Sequence, residues 1–121
     1  MLPRVLVIEG DEINEGMMVA RLWRLRCRVF VSPGGTDAAS IVENEAIDIV
    51  LLDTDLPRQG SAKTFAAIRQ LGGPAGRVPI VAVSDGPSAN TRDTYLAAGY
   101  AEHVNRPPSR ASLKRLMAKC L

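Results

Sequence analysis

The segment 47–57, IDIVLLDTDLP, limits the folds open to this chain more than any other stretch. Ile47, Ile49, Val50, Leu51 and Leu52 form a near-continuous apolar run without the polar alternation of a half-exposed strand. Such a run suits a strand covered on both faces, the situation of a parallel sheet flanked by helices. It stops at Asp53, with Asp55 two residues on and Pro57 closing the stretch. In open α/β sheets, chemistry gathers beyond the carboxyl ends of the strands. Asp53 is thus a carboxylate at a rigid strand tip. An aspartate there commonly serves as a turn former or helix cap, and it gains weight because the pattern recurs along the chain.

Residues 4–8 (RVLVI) read as a first buried strand, with Glu9, Gly10 and Asp11 at its tip. Ile13, Met17, Met18, Ala20, Leu22 and Leu25 then recur at helical spacing, so a helix is expected over 12–26, capped by Asp11. A short strand over 28–32 is broken by Pro33-Gly34-Gly35, and Thr36 can cap a second helix to residue 45. After the strand at 48–53, Gly60-Ser61 opens a helix with Phe65, Ile68 and Leu71 facing inward. A fourth strand is expected over 78–83, with Ser84, Asp85 and Gly86 at its tip. A helix over 88–98 stops at Gly99, residues 103–105 form a short fifth strand, and Ser109 caps a last helix carrying Leu113, Leu116 and Met117.

Five β-α units without a repeat or linker predict one domain, which 121 residues suffice to fold. The fold class is α/β: a flavodoxin-like doubly wound parallel sheet, strand order 2-1-3-4-5, with helices on both faces. Two distant cysteines, Cys27 and Cys120, and no secretory leader point to a reducing cytoplasm. No apolar stretch approaches the ~20 residues that span a bilayer. A net charge of +2 with five aromatic residues argues against direct nucleic-acid binding, and Arg21, Arg24, Arg26 and Arg28 read as a solvated helix end.

In that topology Glu9, Asp11 and Asp53 meet in one crevice, joined by Ser84 and Arg106 from neighbouring strand ends. Three kinds of site suit such a group. Carboxylate oxygens suit a hard cation such as Mg²⁺. A nucleotide site is disfavoured, since no glycine-rich phosphate loop follows a strand. A hydrolase relay is poorly supported: no serine sits in a GxSxG turn, and the lone histidine, His103, lies on a strand.

Four pieces together resemble the receiver domain of two-component response regulators: VLVIEGDEIN, IDIVLLDTDLP, PIVAVSD and AAGYAEHVNRPPS. The resemblance covers essentially the whole chain, and Asn14 is similar to receivers attached to hybrid kinases. It implies that Asp53 accepts a phosphoryl group from a histidine kinase. Ser84 and His103 would be the switch pair, and Arg106 would stand where the family has lysine. It also implies a Mg²⁺ site from Glu9, Asp11, Asp53 and the Asp55 backbone carbonyl. The implied partners are a histidine kinase or phosphotransfer protein, a downstream output protein or domain, and a second copy of the chain. The implied protein is a phosphoacceptor that assists its own phosphorylation and dephosphorylation, not a conventional enzyme. It would signal through the face of the fourth helix, fifth strand and fifth helix, with Arg92, Tyr95, Tyr100, His103, Lys114 and Arg115 exposed on it.

Four positions depart from the family pattern. Gly10 removes a direct metal ligand, and Glu9 lengthens the second acidic arm. Arg106 exchanges a point charge for a planar fork, and Asp85 places a carboxylate where it would repel an incoming phosphoryl group. The expected Mg²⁺ site is therefore weakened or lost, and Gly10→Asp should improve it. Arg106 is expected to bridge Asp53 and a second acid, Glu9 or Asp11. The alternative to a phosphoaccepting receiver is a phosphorylation-independent pseudo-receiver acting as a protein-interaction module.

Overall fold

The computed structural model describes residues 1–85 and 91–121. Its five strands are β1 (Arg4–Ile8), β2 (Arg28–Val31), β3 (Ile49–Asp53), β4 (Ile80–Ser84) and β5 (Glu102–Asn105). They form one parallel sheet in the order β2-β1-β3-β4-β5. The helices are α1 (Glu12–Arg24), α2 (Ala38–Asn44), α3 (Gly60–Arg69), α4 (Thr91–Ala97) and α5 (Arg110–Cys120).

Every residue of β3 and β4 is buried, as an apolar run between two helical layers requires. Strand alternation then splits the core in two. Val5, Val7, Ile49, Leu51, Val81 and Val83 face Met18 and Leu22 of α1 and Leu113 and Leu116 of α5. Leu6, Ile8, Val50, Leu52 and Ile80 face Ala38 and Val42 of α2 and Ile68 of α3. In register, Ile8 pairs with Leu52 and Asp53 with Val83, so the strand tips of β1, β3 and β4 end side by side.

Several local expectations change. Asp11 caps α1, accepting from the Ile13 and Asn14 amides, but the helix ends at Arg24 because Arg26 has φ +62°. Ile13 lies on the solvent side of α1, 75% exposed, and is not a core position. Thr36 caps nothing: a short 3-10 turn, Pro33–Gly35, intervenes and α2 starts two residues later. Strand β4 begins at Ile80 and includes Ser84, and β5 begins at Glu102. The expected start of the fourth helix at residue 88 lies outside the described residues. Ser109 caps α5 through the Ser112 amide, and Gly99 takes the left-handed φ of +103° that favours glycine. Arg21 donates to the Pro108 carbonyl at 2.7 Å, so the arginine cluster is only partly solvated.

Candidate functional site

Asp53 ends β3, and the backbone just after it is fixed from two sides. The Thr54 amide donates to Val83 of β4 at 3.0 Å, and Ser61 Oγ donates to the Asp53 carbonyl at 2.6 Å. The side chain therefore has little freedom at the bottom of the crevice, where it is 2% exposed. Its Oδ1 accepts from the Asp55 amide at 2.8 Å, and Oδ2 accepts from the Gly10 amide at 3.2 Å.

Glu9 stands beside it at the tip of β1, equally buried. Its Oε1 accepts from the Gly10 and Asp11 amides at 3.1 and 3.3 Å. Its Oε2 is buried and has no hydrogen-bond partner. Burial pushes the Glu9 carboxyl up to about 7, and the neighbouring Asp53 carboxylate pushes the same way. Arg106 and the Asp11 amide pull against them without prevailing. A proton on Glu9 relieves the repulsion between the two neighbouring carboxylates.

Arg106 leaves the end of β5, its amide bonded to the Ser84 carbonyl at 2.9 Å. Its Nη1 lies 2.8 Å from Asp53 Oδ1 and 3.3 Å from Glu9 Oε1, so the expected bridge forms to Glu9 and not to Asp11. Asp11 instead spends its carboxylate on the α1 cap. Asp85, expected only to repel, grips the opposite edge of the same guanidinium. Nε and Nη2 reach its two oxygens at 3.2 and 2.7 Å. Burial works against the charge on Arg106, but the Asp85 hydrogen bonds and the surrounding acids raise its pKa overall. Asp55 is exposed, its carboxylate 3.9 Å from Nη2, and Arg58 lies exposed on the turn after Pro57.

These residues do not fit a Mg²⁺ site. Mg²⁺ takes oxygen ligands in near-ideal octahedral geometry at about 2.0–2.1 Å. Gly10 supplies no side-chain oxygen, Asp11 is turned to the helix, and a guanidinium nitrogen holds the approach to Asp53 Oδ1. Among the described residues no three acidic, histidine or cysteine side chains gather in a metal-binding group. A Cβ on residue 10 would stand 3.1 Å from Leu56 Cδ2, so Gly10→Asp also requires that buried leucine to shift.

Ser84 and His103 meet directly, Oγ to Nε2 at 2.7 Å. Burial lowers the pKa of His103 while Glu102 opposes it, which favours a neutral ring able to accept from the serine. Tyr95 stacks on His103 at 5.4 Å and bonds Thr54 Oγ1 through its hydroxyl at 2.9 Å. Tyr95 therefore faces the site, and Tyr100 packs on Phe65 against the core, its hydroxyl pushed up to about 12 by burial. Neither is the exposed anchor expected on the α4–β5–α5 face; Arg92, Lys114 and Arg115 do lie exposed there.

Two contributors escaped the sequence reading. Thr54 has no pattern to mark it. Glu102 is buried at the start of β5 between Arg92 of α4 and Lys119 of α5, partners ten and seventeen residues away.

The family model described as response regulator receiver domain matches residues 5–118. The transcription factor prr1 of Schizosaccharomyces pombe is 29% identical over 119 residues, 98% of this chain and 22% of that protein. The sensor histidine kinase RcsC of Salmonella typhi is 28% identical over 114 residues, 94% of this chain and 12% of that protein. The chain thus spans less than a quarter of either relative. A solved receiver domain, that of sensor histidine kinase PA1611 from Pseudomonas aeruginosa PAO1, has a magnesium ion coordinated in its active-site cleft. It is 27% identical with a TM-score of 0.82, covering 99% of this chain and 98% of that one.

Proposed function

The chain belongs to the response regulator receiver domain family, and on that premise we propose that Asp53 is its phosphoacceptor. The observation that carries the reading is the Asp53 carboxylate, buried at the tip of the central strand with a cation 2.8 Å away. In the step, an Asp53 oxygen attacks the phosphorus of a phosphohistidine. The P–O bond forms, the P–N bond breaks, and the departing imidazole keeps the electron pair and takes a proton. Charge then spreads over the phosphoryl oxygens, and such transfers depend on fixed positive charge at that place. Arg106 supplies it by sliding from the carboxylate to the new oxygens, with five donors in a planar fork. Ser84 offers a hydroxyl on the adjacent tip, and its bond to His103 ties the crevice to β5.

Output would pass through the α4–β5–α5 face, where Glu102 joins Arg92 and Lys119 beside the His103 backbone. The partners this reading requires are a histidine kinase or phosphotransfer protein as donor and an output protein, output domain or second copy as receiver of the signal. It needs no direct contact with nucleic acid. No helix among the described residues is long and apolar enough to cross a membrane, and two free cysteines suit the reducing cytoplasm where such donors act. One observation favours a second reading, the phosphorylation-independent interaction module: both Asp53 oxygens already hold hydrogen bonds.

Incubation with a phosphorylated phosphotransfer protein and with acetyl phosphate, read by intact mass, separates the two. Wild type should gain one phosphoryl group and Asp53→Asn none. A wild type that gains nothing from either donor leaves the interaction module.

A further inference from the structure

The guanidinium of Arg106 is held on two edges by chemistry of two kinds. Its Nε–Nη2 edge faces Asp85 as a side-on bidentate pair at 3.2 and 2.7 Å. That leaves Nη1 as the one nitrogen aimed inward, between Asp53 at 2.8 Å and Glu9 at 3.3 Å. The pairing follows from sheet register. The Arg106 amide bonds the Ser84 carbonyl, so the residue after Ser84 on β4 is brought beside the residue that leaves β5. Asp85 itself is 68% exposed at the rim, whereas the Arg106 side chain is 14% exposed. The rim acid thus holds a nearly buried cation without entering the crevice. A lysine could not be held this way, because an ammonium has no planar edge to grip.

We propose that Asp85 is a positioning residue for Arg106, and that the Asp85–Arg106 pair takes the place of a divalent cation in this crevice. The proposal rests on the reading of this crevice as the phosphoacceptor site, but needs Asp53 only as a carboxylate. It accounts for three departures together. Gly10 gives up a metal ligand that is not needed, arginine replaces lysine because only a fork can be gripped from the side, and Asp85 supplies the grip. Mg²⁺ could reach Asp53 only by displacing Nη1, and Asp85 opposes that displacement.

The pairing makes an expectation opposite in sign to plain electrostatics. Removing a rim carboxylate should weaken attraction for Mg²⁺ if Asp85 is merely one more acid. If Asp85 pins Arg106, removing it should strengthen Mg²⁺ binding, because the guanidinium then yields more easily. The test is a Mg²⁺ titration of the full chain followed by the amide shifts of Gly10 and Asp55. Wild type, Asp85→Asn and Arg106→Lys are compared, with circular dichroism to confirm that each is folded. Wild type should show no saturation at millimolar Mg²⁺. Asp85→Asn should bind about two- to fivefold more tightly, the range an exposed ion pair carries, and Arg106→Lys should shift in the same direction. Asp85→Asn binding as weakly as wild type, or more weakly, overturns the proposal, as does saturable wild-type binding that both variants leave unchanged. Because no phosphoryl donor is present, these outcomes are independent of the Asp53 phosphorylation assay. A chain that takes no phosphoryl group but shows tighter Mg²⁺ binding in Asp85→Asn would refute the acceptor reading alone.

Discussion

Glu9 and Glu102 are both glutamates withdrawn from solvent beside an arginine, yet their acidities move in opposite directions. Glu9 rises to about 7 and Glu102 falls to about 2. Deeper burial at Glu9 and the number of acids sharing its cation together account for the difference. Arg106 serves Glu9, Asp53 and Asp85 at once, so burial and repulsion prevail at Glu9. Glu102 is held first by the Arg92 hydrogen bond, then by Lys119 and the His103 amide, which together outweigh its burial. One region shares a single guanidinium among several acids; the other is satisfied and acts as a tie among α4, β5 and α5. Charge deficit, more than acid content, marks the functional end of the sheet.

Removing Arg106 should break this contrast most. Glu9 and Asp53 would be left buried without a cation, and loss of one partner of a buried pair costs roughly 3–5 kcal/mol. Arg106→Ala should therefore lose about 3 kcal/mol in urea melts at pH 8. The loss should shrink toward pH 6, where a proton on Glu9 substitutes for the missing charge. Equal losses at both pH values would show that Glu9 takes up no proton between pH 6 and 8.

A smaller effect is expected from Glu9→Gln. Because the folded protein holds the Glu9 proton more tightly than the unfolded chain, the associated stability is complete below about 4.5 and is lost as pH rises through about 7. The variant should thus be more stable than wild type at pH 8 by about 1–2 kcal/mol, a value discounted for the solvent at the crevice mouth. The advantage should vanish toward pH 5. His103 acts in the opposite sense, since its lowered pKa costs stability as pH falls below about 6.5. It does so in both proteins, so the difference between their melts isolates Glu9. A pH-independent difference would contradict the assignment.

Glu102→Gln should give the smallest loss, because Arg92 and Lys119 are half exposed and regain water. That loss should stay constant from pH 7 to 8, since Glu102 titrates far below this range and His103 is neutral throughout it. Its stability contribution is present above about 4.5 and fades only as pH falls through about 2. A strong pH dependence near neutrality would mean that Glu102, too, lacks charge compensation.

The sheet and the place of the Asp53 carboxylate were legible in the chain alone. The unbroken apolar runs of β3 and β4 can be buried only between two helical layers, and Asp53 follows because it is the first polar residue after such a run. Ser109 and Asp11 were legible as caps for a similarly local reason, the donors of a helix start being met within three residues. The same locality misled at Thr36, where the turn through Gly34 and Gly35 delayed the helix. It misled again at Tyr95 and Tyr100, whose partners Thr54 and Phe65 come from the turn after β3 and from α3. How the charges are shared emerges only from the folded arrangement. Arg106 meets Glu9 across 97 residues and Asp85 across 21, and Glu102 meets Lys119 across 17. Those contacts depend on strand register and crossover geometry, which bring distant residues within hydrogen-bonding distance without leaving any periodic trace in the chain.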